Sequence, residues 1–362
     1  MNINDQILVL NSGSTSLKYK LYGFKLTELK AGYIEEIGRK GPKNHKEALE
    51  KVLKDIGNTE NIKQVGHRVV HGGNIFNKST VVDDKTVAEI SKFNRLAPLH
   101  NPANLQGIEA SLDLVKGAMN IAVFDTAFYR DMPDYAYLYA IPKEFSEKYG
   151  IRRYGFHGIS HNYVLLEAAR KLKKTPDQLN MISCHLGGGA SVTAIKEGKA
   201  VDTSMGFTPM EGLPMASRCG DLDPGIVIEL VKNKDIEINK YTSGERISDV
   251  DYILNCESGL KGLSGAKTDS IYDIATAAEN GDEKMMNVLK FYTYRIRKYI
   301  GAYKAVLGNL DAVAFTGTVG FRNETIRKMI TGDFEDIKAV KKLVIQTDEE
   351  LMIAREVLAI SG

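Results

Sequence analysis

The chain of 362 residues contains few cysteines and no long apolar run. Its cysteines, Cys184, Cys219 and Cys256, are odd in number and widely spaced. That spacing excludes a disulfide framework and a C-x-x-C metal site, so we expect the thiols to be reduced and structural. No apolar stretch approaches the length that crosses a bilayer, and residues 1–6 lack the basic and apolar segments of a signal peptide. These absences predict a cytoplasmic protein that does not enter a membrane.

Excess charge is also nearly absent. The 48 lysine and arginine residues and the 46 aspartate and glutamate residues leave a formal net charge of +2. This balance gives no electrostatic reason to expect a nucleic-acid partner or a membrane surface. Charged residues make up 26% and apolar residues 43%, which is ordinary for a globular protein. The length predicts two domains, each large enough to have its own core.

Residues 7–22, I-L-V-L-N-S-G-S-T-S-L-K-Y-K-L-Y, predict a β-hairpin with a tip rich in hydroxyl groups. Gly13 permits a close turn, and Ser14 and Ser16 offer hydroxyl and backbone N–H groups that suit a phosphate. An ordinary solvated hairpin is the alternative. Residues 181–195 repeat the pattern of strand, glycine turn and strand, and a third short strand precedes Asp202. The repeat predicts two related halves.

Two charged residues stand in apolar surroundings. Arg68 lies inside an apolar run that leads to a double glycine, and a charge buried there needs an anionic partner. That partner is either a structural carboxylate or a small ligand. Asp125 follows the apolar strand predicted in 121–128, where a carboxylate serves either as a catalytic group or as a helix N-cap.

Two further segments carry polar residues of interest. His157 and His161 have the spacing of a zinc-binding helix, but glycine stands where the H-E-x-x-H motif needs glutamate, so a metal role is disfavoured. Arg218 lies in a long loop containing glycine and proline. It is either an active-site residue or a surface partner of Asp221 or Asp223.

The rest of the sequence predicts further helices and strands. Residues 43–56 predict a lysine-rich helix, and 271–307 predict a long helical stretch. Residues 310–321 predict a buried strand that ends in a glycine turn, and 343–345 a last strand before a terminal helix. Residues 259–268 superficially match a phosphate-binding P-loop, but alanine separates the last glycine from the lysine and no clear strand precedes them.

Nine segments, in order from residue 7 to residue 355, together resemble the acetate kinase (acetokinase) family. They are N-S-G-S-T-S-L-K, G-H-R-V-V-H-G-G, L-A-P-L-H-N-P, V-F-D-T-A-F, Y-G-F-H-G-I-S-H, C-H-L-G-G-G-A-S, D-T-S-M-G-F-T-P, R-C-G-D-L-D-P-G and T-D-E-E-L-M-I-A-R. That family belongs to the acetate and sugar kinase, Hsp70 and actin superfamily. The resemblance implies an α/β fold with two related actin-like (ribonuclease H-like) domains and an active-site cleft between them. The expected domains are 1–130 with 352–362, and 131–351 on the phosphoryl-donor side.

The resemblance implies reversible phosphoryl transfer from ATP to acetate, giving acetyl phosphate and ADP. It assigns positive charge for the transferring group to Arg68 and Arg218, a further donor to His157, and an orienting role to Asp125. The implied acyl pocket is Val70, Leu99, Phe156 and Pro209. The implied phosphate and nucleotide contacts are Ser14, Ser16, Lys18, His185, Gly187, Gly189, Asp269, Gly317 and Gly320. Asn11 and Glu349 match the site for Mg²⁺ or Mn²⁺, and the family also suggests a homodimer and propionate as a second acid.

Departures from the family pattern concentrate in the segments that contact the nucleoside. Thr318 replaces a glycine, and Phe321 and Arg322 stand where glutamate and asparagine are usual. Ile271 replaces an arginine, and Gly188 replaces an asparagine. These changes leave three hypotheses: an ATP-dependent acetate kinase, a pyrophosphate-dependent acetate phosphotransferase, and a catalytically idle family member that acts as a sensor or binding module.

Overall fold

A computed structural model of the chain describes residues 4–98, 100–233 and 246–361. The strands are β1 (Gln6–Gly13), β2 (Ser16–Tyr22), β3 (Glu28–Ile34), β4 (Ile62–Val69), β5 (Thr80–Val81), β6 (Met119–Phe124), β7 (Met181–Leu186), β8 (Ala190–Lys196), β9 (Lys199–Thr203), β10 (Ala312–Thr316) and β11 (Lys341–Val344).

The α-helices are α1 (His45–Ile56), α2 (Asp84–Ser91), α3 (Asn101–Leu114), α4 (Asp134–Tyr137), α5 (Lys143–Tyr149), α6 (Gly158–Leu172), α7 (Pro224–Lys232), α8 (Arg246–Tyr252), α9 (Gly259–Ser264), α10 (Ile271–Glu279), α11 (Glu283–Leu307), α12 (Gly317–Arg322), α13 (Glu324–Thr331) and α14 (Glu349–Ser361). Short 3₁₀ helices span Phe24–Leu26, Asp125–Tyr129, Pro176–Gln178 and Glu335–Ile337, and a π-helix spans Ile253–Glu257. Among the described residues, none of these helices has both the length and the apolar character needed to cross a membrane.

Unit 1 comprises the described residues of 1–131, 154–163 and 348–362. It is built on a six-stranded sheet with the order β3-β2-β1-β4-β6-β5. Strands β1 and β2 pair in antiparallel fashion across a two-residue turn at Ser14 and Thr15, which confirms the predicted first hairpin. Strands β1, β4 and β6 run parallel, so their carboxyl ends meet at one edge of the sheet.

Unit 2 comprises the described residues of 132–153 and 164–347. Its five-stranded sheet has the order β11-β10-β7-β8-β9, and β7 pairs with β8 and β10 as β1 pairs with β2 and β4. The shared arrangement of three antiparallel strands followed by two parallel ones confirms the two related halves. Residues 154–163 and 348–351 belong to unit 1, whereas the sequence prediction placed them in the second domain.

Local signals explain why the predicted helix over 43–56 forms as α1. The side chain of Asn44 accepts a hydrogen bond from the Glu47 N–H at 3.0 Å, which caps the first turn. Ala48, Leu49 and Val52 are buried on one face, where they pack against the first sheet and α3. The lysines stay on the solvated face, so a single amphipathic pattern fixes both the helix and its orientation.

The helical stretch predicted over 271–307 is confirmed and forms as two helices. They are α10 and α11, which are separated where Gly281 has a φ of +94° and the side chain of Asp282 caps α11. The strand expected over 310–321 ends at Thr316, and the glycines after it begin α12 instead of forming a simple turn.

The buried His67 side chain makes unit 1 sensitive to acid. Its Nε2–H donates to the Asn120 Oδ1 at 2.8 Å, and burial lowers the pKa of His67 from 6.5 to about 4. The His67 imidazole therefore binds a proton near pH 6.5 in the unfolded chain but only near pH 4 in the folded chain. This contribution to stability is complete above pH 6.5 and is lost as the pH falls toward 4.

We predict that His67→Gln, which cannot titrate, will flatten this pH dependence. Between pH 7 and pH 4.5 the free energy of unfolding should fall by about 2.5 kcal/mol less in the variant than in the wild type. Urea unfolding at both pH values measures the difference. Equal pH dependence of the two proteins would contradict the assignment.

Candidate active site

Arg68 is the centre of a buried charge cluster at the carboxyl edge of the parallel strands in unit 1. Its Nη2 and Nε donate to the Asp125 Oδ2 at 2.8 and 3.1 Å. Its Nη1 donates to the Glu349 Oε2 at 3.3 Å. The Asp125 side chain is 1% exposed and that of Arg68 17% exposed, so solvent screens the pair little. The sequence prediction that Arg68 needs an anionic partner is confirmed.

The two carboxylates favour the charged form of Arg68. Burial by itself would lower the pKa of Arg68, but Asp125 and Glu349 outweigh burial and raise it. Burial raises the pKa of Asp125, and the Arg68 guanidinium opposes that rise. The Asp125 Oδ1 also accepts the Ile159 N–H at the start of α6, at 3.4 Å. The Asp125 carboxylate thus balances the charge of Arg68 and also accepts from an N–H at the start of α6. The helix-capping role considered for Asp125 is therefore compatible with the catalytic role, which stays a prediction.

A second carboxylate, Glu350, joins α14 to the first hairpin. Its Oε1 accepts the Asn11 Nδ2–H at 3.2 Å, and its Oε2 accepts the Lys18 Nζ–H at 2.7 Å. The Glu350 side chain is 1% exposed, whereas that of Lys18 is 48% exposed. Sequence reasoning selected Glu349 for this neighbourhood and missed Glu350. The pair of adjacent carboxylates at 349–350 was the available signal, because consecutive residues of a helix point to different neighbours.

The donor chemistry at this edge suits a hard divalent cation. Asn11, Glu349 and Glu350 supply amide and carboxylate oxygens, which Mg²⁺ and Mn²⁺ prefer. In the part of the chain that the structure describes, no cluster of three or more His, Cys, Asp or Glu side chains is arranged around a metal. His161 is buried within α6, while His157 precedes that helix with a φ of +56°, so the two histidines do not share a helical face.

Two residues of the predicted acyl pocket, Val70 and Phe156, are apolar and buried in unit 1. Val70 is 8% exposed and Phe156 is 1% exposed. The Phe156 ring contacts the imidazole of His71 edge-on, with centroids 5.3 Å apart, and the Phe156 carbonyl accepts the Tyr129 hydroxyl at 2.6 Å. Leu99 lies outside the described residues. The fourth predicted residue, Pro209, is buried in unit 2.

The hairpin tip of unit 1 is held firmly at its base. Ser14 is exposed in the turn, and Ser16 is half-buried as the first residue of β2. The His45 Nε2–H donates to the Gly13 carbonyl at 2.8 Å and so ties the tip to α1. The two serines therefore occupy a fixed place from which hydroxyl and backbone N–H groups can meet an anion.

In unit 2 the predicted phosphate contacts lie at the corresponding edge of the second sheet. His185 of β7 is in register with Thr316 of β10, and the glycines at 187 and 189 follow β7. Gly317 has a φ of +74°, and a Cβ there would stand 2.5 Å from the Leu186 carbonyl oxygen, so only glycine fits. Gly320 lies within α12, and Asp269 is exposed in the loop before α10.

The departures from the family pattern have different structural settings. Ile271 is a core residue of α10 and is 5% exposed. A Cβ built on Gly187 would be 3.4 Å from the Thr318 Oγ1, and the Thr318 carbonyl accepts the Tyr272 hydroxyl at 2.7 Å. Gly188 faces open space, Phe321 is half-buried and Arg322 is exposed. Thr318 is therefore the substitution that adds bulk beside the glycine loop.

Arg218 lies in the long loop of unit 2 that precedes α7. Its Nη1 donates to the Pro209 carbonyl at 3.4 Å and approaches the Met215 Sδ at 3.7 Å. Burial lowers the pKa of Arg218, in contrast to Arg68. The predicted surface partners have other contacts, since Asp221 accepts from Gly212 and Tyr299 and Asp223 caps α7.

We predict that Asp125→Asn will strongly destabilise unit 1, because it removes the main charge partner of a buried guanidinium. The free energy of unfolding should fall by about 3 kcal/mol. The matched control is Asp113→Asn, which breaks the exposed pair with Lys46 and should change stability little. Denaturant unfolding of the three proteins measures both effects, and equal losses in the two variants would contradict the importance of the buried pair.

Comparisons with known proteins all indicate the same family for this chain. A model described as the Acetokinase family matches residues 38–337. A relative named acetate kinase from Dictyoglomus thermophilum is 41% identical, and the alignment covers 99% of each chain. The crystal structure of Porphyromonas gingivalis acetate kinase has a TM-score of 0.89 at 37% identity, covering 99% of this chain and 100% of that one. A propionate kinase structure from Francisella tularensis has a TM-score of 0.90 at 34% identity, covering 98% and 99%. The chain belongs to the acetokinase family.

Proposed function

We propose that the protein is an acetate kinase that transfers the γ-phosphoryl group of ATP to acetate in a single in-line step. An acetate oxygen forms a bond to phosphorus as the bond to the β–γ bridging oxygen breaks, giving acetyl phosphate and ADP, and the reaction is reversible. The observation that carries the proposal is the Arg68 cluster, together with the relatives named acetate kinase. The neighbour named propionate kinase supports propionate as a second acceptor.

The main barrier to this reaction is electrostatic. Acetate is already ionised at neutral pH, since the pKa of a carboxyl group lies about 3 units lower, so the nucleophile needs no base. Two anions must nevertheless approach each other, and positive charge must offset their repulsion. We assign that charge to Arg68 and Arg218 and a further hydrogen bond to His157. Asp125 keeps the Arg68 guanidinium in one orientation through two of its N–H groups.

The surroundings of the two arginines differ. Arg68 is fixed by two carboxylates and is already neutralised in the resting protein. Arg218 contacts a carbonyl oxygen and a thioether, and burial disfavours its charged form. Both guanidinium groups stay charged, so an arriving phosphoryl group would gain a charge-assisted hydrogen bond from each.

Asn11 and Glu349, with Glu350 beside them, would hold the divalent cation. When bound, Mg²⁺ or Mn²⁺ neutralises phosphate charge and orients the donor. The part played by this chain is to keep oxygen donors at one strand edge, since Asn11 is anchored by Glu350 and Glu349 by Arg68.

We assign Val70, Leu99, Phe156 and Pro209 to the methyl group of the acceptor. Val70 and Phe156 are buried, and the Phe156 ring packs against the imidazole of His71. One additional methylene changes binding by about 1–3 kcal/mol, so propionate should be a poorer but real substrate.

The phosphoryl donor is assigned to residues of both units. Ser14, Ser16 and Lys18 in unit 1 are assigned to its phosphates. In unit 2 the assigned contacts are His185, Gly187, Gly189, Asp269, Gly317 and Gly320. The bulk of Thr318 favours pyrophosphate as the alternative donor, whereas an idle family member would turn over neither. A homodimer stays a prediction, and a monomeric solution mass of the intact chain would contradict it.

We predict acyl phosphate formation from acetate and Mg²⁺ with ATP as the preferred donor. Trapping with hydroxylamine measures the product, with ATP, GTP and pyrophosphate compared at equal concentration. Arg218→Ala should reduce kcat by about 100-fold or more, while Arg170→Ala on the exposed face of α6 should leave it unchanged. Turnover with pyrophosphate alone would identify the alternative enzyme. No turnover with any donor would contradict a kinase, and near-normal activity of Arg218→Ala would contradict the assigned role.

We predict that Thr318→Gly will improve the use of ATP by removing bulk beside the glycine loop. The KM for ATP should fall on the order of tenfold, which is the effect of one or two methyl groups in a pocket. The KM for acetate is the internal control and should not change. An unchanged KM for ATP would show that Thr318 does not limit nucleoside binding.

A further inference from the structure

The chain leaves the sheet of unit 1 in a short buried segment just after Arg68. The parallel pairing of β4 with β6 ends at Val69 and Phe124, and residues 70–72 follow without a strand partner. All three of these residues are buried. Their backbone N–H groups therefore need acceptors from outside the sheet.

Three buried side chains supply those acceptors, one for each N–H of residues 70–72. In chain order the accepting atoms are the Asn104 Oδ1 at 3.1 Å, the Asn101 Oδ1 at 3.0 Å and the Thr126 Oγ1 at 3.0 Å. The Asn101 Nδ2–H also donates to the His71 carbonyl at 2.9 Å. Side chains of α3 and of the 3₁₀ helix after β6 thus hold this segment where strand pairing has stopped.

Asn104 has a further partner on a different strand. Its Nδ2–H donates to the Ser12 carbonyl of β1 at 2.7 Å, while its Oδ1 accepts the Val70 N–H. These two backbone groups fix the orientation of the amide, because a carbonyl requires an N–H and an N–H requires an oxygen. Asn104 is 3% exposed, so water does not readily replace either bond. One planar amide therefore joins β1 to the segment that follows β4.

Close packing of α3 against β1 makes this reach possible. Gly107 lies three residues after Asn104 and so on the same face of α3. A Cβ on Gly107 would stand 2.1 Å from the Ser12 Oγ, so a larger residue would force the helix away from the strand. The glycine thus keeps the Asn104 amide within hydrogen-bond distance of β1.

We propose that Asn104 is a positioning residue for the acetate acceptor, because it fixes the spacing between the acyl pocket and the end of β1. The inference rests on the proposed function, which assigns Val70 to the acyl pocket and Asn11 to the divalent cation. Ser12 directly follows Asn11 in β1, so a displaced Ser12 would move the cation ligand, and a displaced Val70 would move the acceptor. A misplacement of about 1 Å between reacting groups can cost about 100-fold in rate.

Other side chains of similar size cannot make both bonds. Leucine has neither a donor nor an acceptor, so Asn104→Leu leaves the Val70 N–H and the Ser12 carbonyl without this partner. Ionised aspartate keeps an acceptor for Val70 but has no donor for Ser12. In either variant β1 and the segment after β4 are expected to move apart, because a buried polar group without a partner is unfavourable.

The test compares Asn104→Leu with the control Asn120→Leu. Asn120 is also 3% exposed, but its amide bonds His67 and Ser111 near the start of β6. With Mg²⁺ and the donor that the wild type uses, Asn104→Leu should lower kcat/KM for acetate on the order of 100-fold and raise the KM for acetate about tenfold. The preference for acetate over propionate should fall about fivefold, because Val70 is no longer held. Asn120→Leu loses buried hydrogen bonds too, but it should keep the wild-type KM and preference.

A merely structural role for Asn104 would lower the fraction of folded protein without changing the KM for acetate or the preference between the two acids. Unchanged values in folded Asn104→Leu, or equal changes in Asn120→Leu, would therefore overturn the inference. Asn104→Asp replaces Asn104→Leu if circular dichroism shows that the latter is unfolded, and we expect the same direction of change from it. No acyl phosphate from the wild type with any donor would overturn the proposed function, and the inference with it.

Discussion

The buried ion pair between Arg68 and Asp125 is the interaction on which unit 1 depends. A guanidinium in an apolar strand would be very costly without it, and the pair requires β4 and β6 to end side by side. Glu349 adds a second carboxylate from α14. The contacts that stabilise this edge of the sheet also fix the orientation of the Arg68 guanidinium. A substitution that removes them would therefore change both the stability of unit 1 and the candidate active site.

The two related sheets use arginine differently. In unit 1 the charge of Arg68 is balanced by acidic side chains, and its pKa is raised. In unit 2 Arg153 is paired with Glu211, whereas burial lowers the pKa of Arg218. A duplicated topology therefore does not imply a duplicated charge distribution.

Local patterns made much of the fold predictable. Alternating residues and a polar turn predicted both hairpins, and amphipathic spacing predicted α1. The break between α10 and α11 was missed because a strong apolar period outweighed the Asn280-Gly281 signal. Glu350 and Arg153 were missed for a different reason. Their partners are far away in sequence, and no local pattern states which of two adjacent carboxylates will face which basic residue.

Unit 1 is assembled from segments that the chain supplies at separate times. The first six strands precede nearly all of unit 2, whereas α14, with Glu349 and Glu350, follows it. During synthesis the emerging strands carry Arg68 and Lys18 before their acidic partners in α14 exist. Vectorial folding can complete the second sheet first, and the first sheet reaches its final electrostatic balance only when α14 docks. A ribosome-bound chain that lacks α14 is therefore an incomplete folding unit, however much of its first sheet has formed.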